Sequence, residues 1–189
     1  MTCEAICPGC AAALRALACP PLRLWRGGVW LAAYDYADPV RLMIHRGKYR
    51  ADRRALGALA LSAVERLRSV AASDPAALIP LPLGARRQGQ RGYNQAEVIA
   101  GALGERLSIP LGDGLKRVRE TRPQAGQDEA GRLRNVAGAF SWAGEPLSGA
   151  RLWLVDDVLT TGATATAAGD ALLRAGAHRV DVVTIAAVL

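Results

Sequence analysis

The chain has few aromatic side chains, almost no lysine and no long apolar run. Aromatics make up 5% of its 189 residues, too few for extensive base stacking along a nucleic-acid strand, with Tyr34, Tyr36, Tyr49 and Tyr93 the possible platforms. No stretch approaches the roughly 18 apolar residues of a membrane span. Glu4 and Arg15 interrupt the first twenty residues, which therefore lack the apolar core of a secretory signal. A cytoplasmic location without membrane insertion is expected. GxxxxGK[ST] and GxGxxG are both missing, which excludes Walker-type and Rossmann-type nucleotide sites, and no internal repeat is evident.

What is present suits a globular chain. Apolar residues reach 51%, enough for the core of one medium domain and too many for a disordered or collagen-like chain. The net charge of +7 points to acidic partners such as phosphates, nucleotides or nucleic acid. Of 24 basic residues only Lys48 and Lys116 are lysines, and the resulting arginine excess fits a GC-rich genome equally well. The charge is uneven: residues 135–189 hold Arg151, Arg174 and Arg179 against Glu145, Asp156, Asp157, Asp170 and Asp181, so the surplus lies in residues 1–134.

All four cysteines, Cys3, Cys7, Cys10 and Cys19, lie in the first nineteen residues with the spacing C-x3-C-x2-C-x8-C. In a reducing compartment such clustering favours metal or redox chemistry over structural disulfides. The Cys7–Cys10 CPGC is a turn in which two thiolates can bind one tetrahedral Zn2+. Cys3 and Cys19 do not form a second pair of that kind. An irregular four-thiolate zinc site, an incomplete ribbon and a redox pair all fit, the last without the strand that precedes a thioredoxin-type CxxC.

Residues 1–28 read as a Cys-rich segment and Pro/Arg/Gly connector, and residues 29–189 as the main domain. Val29–Tyr36 predicts a strand. Asp38-Pro39 predicts a capped short helix through Met43 and His45, and Asp52 caps a longer one in which Leu56, Leu59, Ala60, Ala63, Val64 and Leu67 recur at helical spacing. Ala77–Leu83 is read as a buried strand, Gly84–Gly92 as a loop, and 94–107 as a helix. One short strand is expected within 107–121. Residues 122–140 are polar and glycine-rich. The clearest unit is a strand over 151–155, a loop, a helix over 165–175 stopped at Gly176, and a strand from Arg179. This is a βαβ unit and predicts an α/β fold with a mainly parallel sheet flanked by helices.

Leu152–Thr164, LWLVDDVLTTGAT, carries the most chemical information. An apolar strand delivers Asp156 and Asp157 to its carboxyl end, where open parallel sheets bind ligands. Thr160, Thr161, Gly162, Ala163 and Thr164 then lead into a helix. Open N–H groups, hydroxyls and the helix dipole make a phosphate cradle there, with Gly162 permitting close backbone approach. Two carboxylates beside an anion site make sense if they accept hydroxyls of a sugar or approach a Mg2+ held by a polyphosphate. Together these features suggest a ribose carrying a 5-phosphate.

This stretch resembles the signature of type I phosphoribosyltransferases, in which apolar residues, two acids and T-T-G-x-T follow one another. The resemblance implies that Thr160–Thr164 hold the 5-phosphate of phosphoribosyl pyrophosphate (PRPP), with Asp156 and Asp157 on the ribose hydroxyls. HRGKYR (45–50), RRQGQRGYNQ (86–95) and 121–140 resemble the ComF family, a phosphoribosyltransferase-like branch associated with competence and DNA uptake. That resemblance implies PRPP with Mg2+ as ligand, and a zinc ribbon at the amino end in which Cys3, Cys7, Cys10 and Cys19 would take part. Gln127 stands where an apolar residue is expected, and the ribbon is incomplete.

A pyrophosphate needs donors opposite the acid pair. Arg86, Arg87 and Arg91, among Gly84, Gly89 and Gly92, are suited to it through bidentate guanidinium contacts. Lys48, Arg50, Arg119, Arg122, Arg132 and Arg134 are secondary candidates. Three functions remain: a Mg2+-dependent phosphoribosyltransferase acting on an unassigned acceptor, a non-catalytic competence protein of the same fold whose basic portion contacts single-stranded DNA, or a zinc-dependent interaction protein that docks on the uptake machinery through its ribbon.

Overall fold

The computed structural model describes residues 6–18, 23–70, 74–119 and 136–188. Its frame is a five-stranded sheet of β1 (Arg23–Trp25), β2 (Gly28–Asp35), β3 (Ala77–Pro80), β6 (Arg151–Leu159) and β7 (Arg179–Ala187), in the order β1-β2-β7-β6-β3. β2, β7, β6 and β3 run parallel, and β1 joins β2 as an antiparallel edge. A second ribbon pairs β4 (Leu115–Arg117) with β5 (Phe140–Trp142). The expected α/β class, with a mainly parallel sheet flanked by helices, is what the chain adopts.

β6 and β7 are apolar along most of their length because helices cover both faces of the sheet. Trp153, Val155, Val183 and Ile185 pack with α2 (Val40–Arg50), α3 (Arg53–Val70) and α5 (Gln95–Leu107), where Leu56, Leu59, Leu67, Ile99 and Leu103 are fully buried. Leu152, Leu154, Val180 and Val182 alternate with them and pack on the other face, against Ala168 and Leu172 of α6 (Ala163–Arg174) and Phe140 of β5. Each such buried leucine contributes about 1.5–3 kcal/mol of hydrophobic stabilisation, so the two clusters fix the strand register from which the site is built.

Several boundaries differ from the sequence reading. Gly84–Gly92, expected as a loop, contains α4 (Ala85–Arg91): Gly84 is extended at its amino end, and Gly92, with φ 71°, terminates it in the left-handed conformation. The glycines bound this helix, and Gly89 inside it faces open space. β3 stops at Pro80, short of Leu83. β6 runs on to Leu159, because its pairing with β7 continues through Val158–Ala186 and Leu159–Ala187. Asp38 does not cap α2; its carboxylate binds the Arg41 guanidinium at 2.9 Å, and Pro39 holds the cap position. Asp52 does cap α3, accepting from Ala55 N at 3.0 Å.

The amino-terminal segment also contributes structure. α1 (Pro8–Ala16) buries Leu14 in the first cluster, Leu17 O accepts from Asp35 N at 2.8 Å, and β1 extends the sheet. Residues 23–28 thus form a hairpin with the strand that follows them.

Candidate functional site

β6 carries the acid pair. Its continuation past Val155 keeps Asp156 and Asp157 in the sheet, with Asp156 opposite Thr184 of β7. Asp157 N donates to Asp156 Oδ1 at 2.8 Å, and Asp157 Oδ2 lies 2.9 Å from Lys48 Nζ on α2. Burial, followed by the charge of Asp157, pushes the Asp156 carboxyl up to about 7, against partial relief from the Asp157 N–H, Lys48 and Arg87. Near neutral pH the two acids therefore share less than two full charges.

The chain then turns through Thr160 and Thr161 to Gly162, which has φ 75° and caps α6. Two constraints select glycine here: the left-handed backbone, and the Trp30 indole of β2, which a Cβ would strike. The first intrahelical bond runs from Thr166 N to Gly162 O at 2.8 Å, so the N–H groups of residues 163–165 precede the helix ladder and point out of its amino end. The Thr160, Thr161 and Thr164 hydroxyls belong to the same turn and helix start, the arrangement of donors that an anion cradle requires.

α4 forms the facing wall. A cleft of about 570 Å³ at the carboxyl ends of β3 and β6 is lined by Arg86, Arg87 and Arg91 on one side and by Asp156, Asp157 and Thr160–Thr164 on the other. The structure thus brings every candidate of the sugar-phosphate and pyrophosphate sets into one cleft. Arg86 and Arg87 are exposed; Arg91 Nη1 donates to Gln95 Oε1 at 2.7 Å. Arg50 and Arg119, secondary candidates, do not line it, while Lys48 does. Arg122, Arg132 and Arg134 lie outside the described residues.

Two stretches of the sequence acquire physical roles here. In RGYNQ, Arg91 faces the cleft and Gly92 ends α4. The Tyr93 hydroxyl donates to Gly47 O of α2, and Asn94 caps α5 through Ala96 N at 3.1 Å while donating to Leu81 O at 3.0 Å. In HRGKYR, Gly47 lets α2 lie against Leu56 of α3, where a Cβ would collide, and the adjacent Lys48 reaches Asp157. Tyr36, Gln95 and Arg117 also line the cleft and were not singled out as site residues from the sequence. Lys48 was a secondary candidate, whereas Gln95 and Arg117 carried no sequence signal.

Cys7 and Cys10 lie outside this cleft. Cys7 caps α1, its Sγ accepting from Cys10 N at 3.4 Å, and that N–H holds the Cys7 thiol below its ordinary value while Cys7 raises Cys10. Both are free thiols. Cys3 and Cys19 lie outside the described residues. Among the described residues no group of three or more His, Cys, Asp or Glu side chains is placed to hold a metal, and no helix is long and apolar enough to cross a membrane.

Fold and site together define an α/β protein with a cleft at the carboxyl edge of a mainly parallel sheet, lined by an acid pair and by arginines. No protein-family profile matches the chain. It is 35% identical over 154 residues to Competence protein F of Haemophilus influenzae, covering 78% of this chain and 67% of that protein. It is 32% identical over 153 residues to the DNA utilization protein YhgH of Salmonella typhimurium, with the same coverage. Competence protein ComFC of Bacillus subtilis is 29% identical over 145 residues, 77% of this chain and 58% of its own length. The chain belongs to the ComF family. Among solved structures, adenine phosphoribosyltransferase from Leishmania donovani aligns with TM-score 0.47 and 18% identity over 89% of this chain and 75% of that one. The Bacillus subtilis glutamine PRPP amidotransferase complexed with ADP and GMP aligns with TM-score 0.44 and 22% identity over 70% and 25%.

Proposed function

We propose that this cleft binds PRPP and that the chain transfers its phosphoribosyl group to an acceptor. One observation carries the reading: a phosphate cradle, an acid pair and three arginines converge on a single cleft at the strand ends. The open amides of residues 163–165 and the threonine hydroxyls take the 5-phosphate. Asp156 and Asp157 accept the ribose hydroxyls, and Arg86, Arg87 and Arg91 meet the pyrophosphate.

The donor set also fits Mg2+, since two carboxylates offer the hard oxygens that ion prefers. When bound with the ligand, Mg2+ would neutralise charge on the departing pyrophosphate. The protein's part is orientation and electrostatics. Asp156 and Asp157 hold the sugar while positive charge develops on its ring, and the arginines stabilise the leaving group without any side-chain nucleophile. Tyr36 and Val188 line the cleft beside the acids and offer an acceptor a place to enter.

A second reading rests on the competence and DNA utilization names of the relatives and on the exposure of Arg86 and Arg87: the basic wall contacts single-stranded DNA without turnover. Calorimetric titration with PRPP and Mg2+ separates the readings. Wild type binds and Asp156→Asn/Asp157→Asn does not; well-folded wild type that ignores PRPP sinks the first reading. Acceptor-dependent pyrophosphate release establishes transfer, and DNA affinity that falls steeply with salt supports the second.

A further inference from the structure

Lys48 stands apart from the other cations of the cleft. Arg86 and Arg87 project into solvent, whereas the Lys48 side chain is only 17% exposed and its Nζ sits 2.9 Å from Asp157 Oδ2, itself 11% exposed. The placement is supported from three sides. Gly47 lets α2 lie on Leu56, the Tyr93 hydroxyl binds Gly47 O, and the Arg53 guanidinium packs on the Tyr93 ring at 4.6 Å from its centroid. The ammonium is therefore delivered by a braced helix rather than by a mobile stem on an open surface. It occupies the one region of the cleft where negative charge is concentrated, and where a divalent cation would otherwise bind.

We propose that Lys48 is the resident counter-cation of the acid pair: paired with Asp157, it excludes free divalent cation from the empty cleft, so that metal enters only as the complex of a phosphorylated sugar. This inference deepens the PRPP reading and rests on it for the identity of the ligand, while the exclusion itself concerns only the ammonium and the two carboxylates. A free divalent ion arriving at Asp157 must displace an ion pair that is shielded from solvent, where charges are screened less than at the surface. A metal already bound to a polyphosphate brings further anchoring groups, which the threonine cradle and arginine wall engage, and these compensate for releasing Lys48. The residue acts on the ligand through Asp157, which makes it a positioning residue rather than a catalytic one.

The proposal predicts an uncommon sign: removing a side chain improves binding. Mn2+ titrated alone into metal-free protein, followed by electron paramagnetic resonance, should bind Lys48→Met about five- to tenfold more tightly than wild type, a size suited to losing one partly shielded charge. Lys48→Arg, which keeps the cation, should stay near wild type, and Lys48→Met/Asp157→Asn should lose the gain. Lys48→Gln serves if the methionine variant folds poorly, as judged by circular dichroism. Equal Mn2+ affinity in wild type and Lys48→Met overturns the proposal, as does a gain in Lys48→Arg or a gain that survives Asp157→Asn. PRPP is titrated separately into wild type. Absence of PRPP binding with the Mn2+ pattern intact removes the ligand assignment and leaves the exclusion standing; PRPP binding without that pattern does the reverse.

Discussion

Gly162→Ala tests the phosphate cradle at its most constrained point. An alanine at φ 75° costs about 1–2 kcal/mol for the left-handed backbone alone. The added Cβ also meets the six-membered ring of Trp30, a side chain only 5% exposed that has little room to retreat; overpacking of this kind costs about 1–3 kcal/mol. The sum, roughly 2–5 kcal/mol, corresponds to a fall in Tm of about 4–20 °C for a domain of this size. Thermal unfolding measures it, and a double-mutant cycle apportions it. In a Trp30→Ala background the steric part should vanish, leaving about 1–2 kcal/mol for the backbone. Inorganic phosphate should bind less well in the single variant, because the amide groups of residues 163–165 shift with the cap. A cost unchanged by Trp30→Ala would refute the packing argument, and an unchanged Tm would refute both parts.

Three further outcomes are expected. Because the Asp156 carboxyl is raised from 3.8 to about 7, protonation favours the folded state; that contribution is complete below pH 3.8 and is lost as pH rises through about 7. Asp156→Asn should therefore stabilise the empty protein at pH 8 by about 1–3 kcal/mol, a gain that narrows toward pH 4 in denaturant titrations, while weakening sugar-phosphate binding. Tyr93→Phe removes the hydroxyl that holds Gly47 O and should cost about 1 kcal/mol in urea unfolding, leaving the slope of the transition unchanged. If four thiolates hold zinc, protein purified without chelator carries one Zn2+ per chain and Cys7→Ser loses it; metal-free protein with a dithiol that titrates readily favours the redox pair instead.

The geometry of the candidate site was legible in the sequence because it is local. In Leu152–Thr164 the strand, the acids, the turn and the helix start follow one another within thirteen residues, and each is dictated by near neighbours. α4 was not legible. Gly84, Gly89 and Gly92 suggest a loop when counted together, yet two of them are its ends and only the third lies within it. Lys48 was ranked with Arg50, two residues away, because nothing in the local sequence distinguishes them. Only the packing of α2 on Leu56 decides which of the two reaches Asp157. The docking of Leu14 depends in the same way on partners more than fifteen residues distant, such as Tyr34 and Val64. The α/β class and the site could thus be read from periodicity and turn chemistry, whereas the position of the helix carrying Lys48 is a tertiary result.

The strand order has a consequence for how the protein comes into being. β7, residues 179–187, lies between β2 and β6, and both of its neighbours are synthesised before it. Until residues 179–187 leave the ribosome, β2 has no parallel partner, and the apolar faces of Leu31, Ala33 and Trp153 have no completed sheet to enter. Sequence separations above 140 residues between paired strands also make this closure slow relative to local helix formation. A chain that ends before residue 179 therefore lacks the strand that joins β2 to β6 and should not complete this sheet.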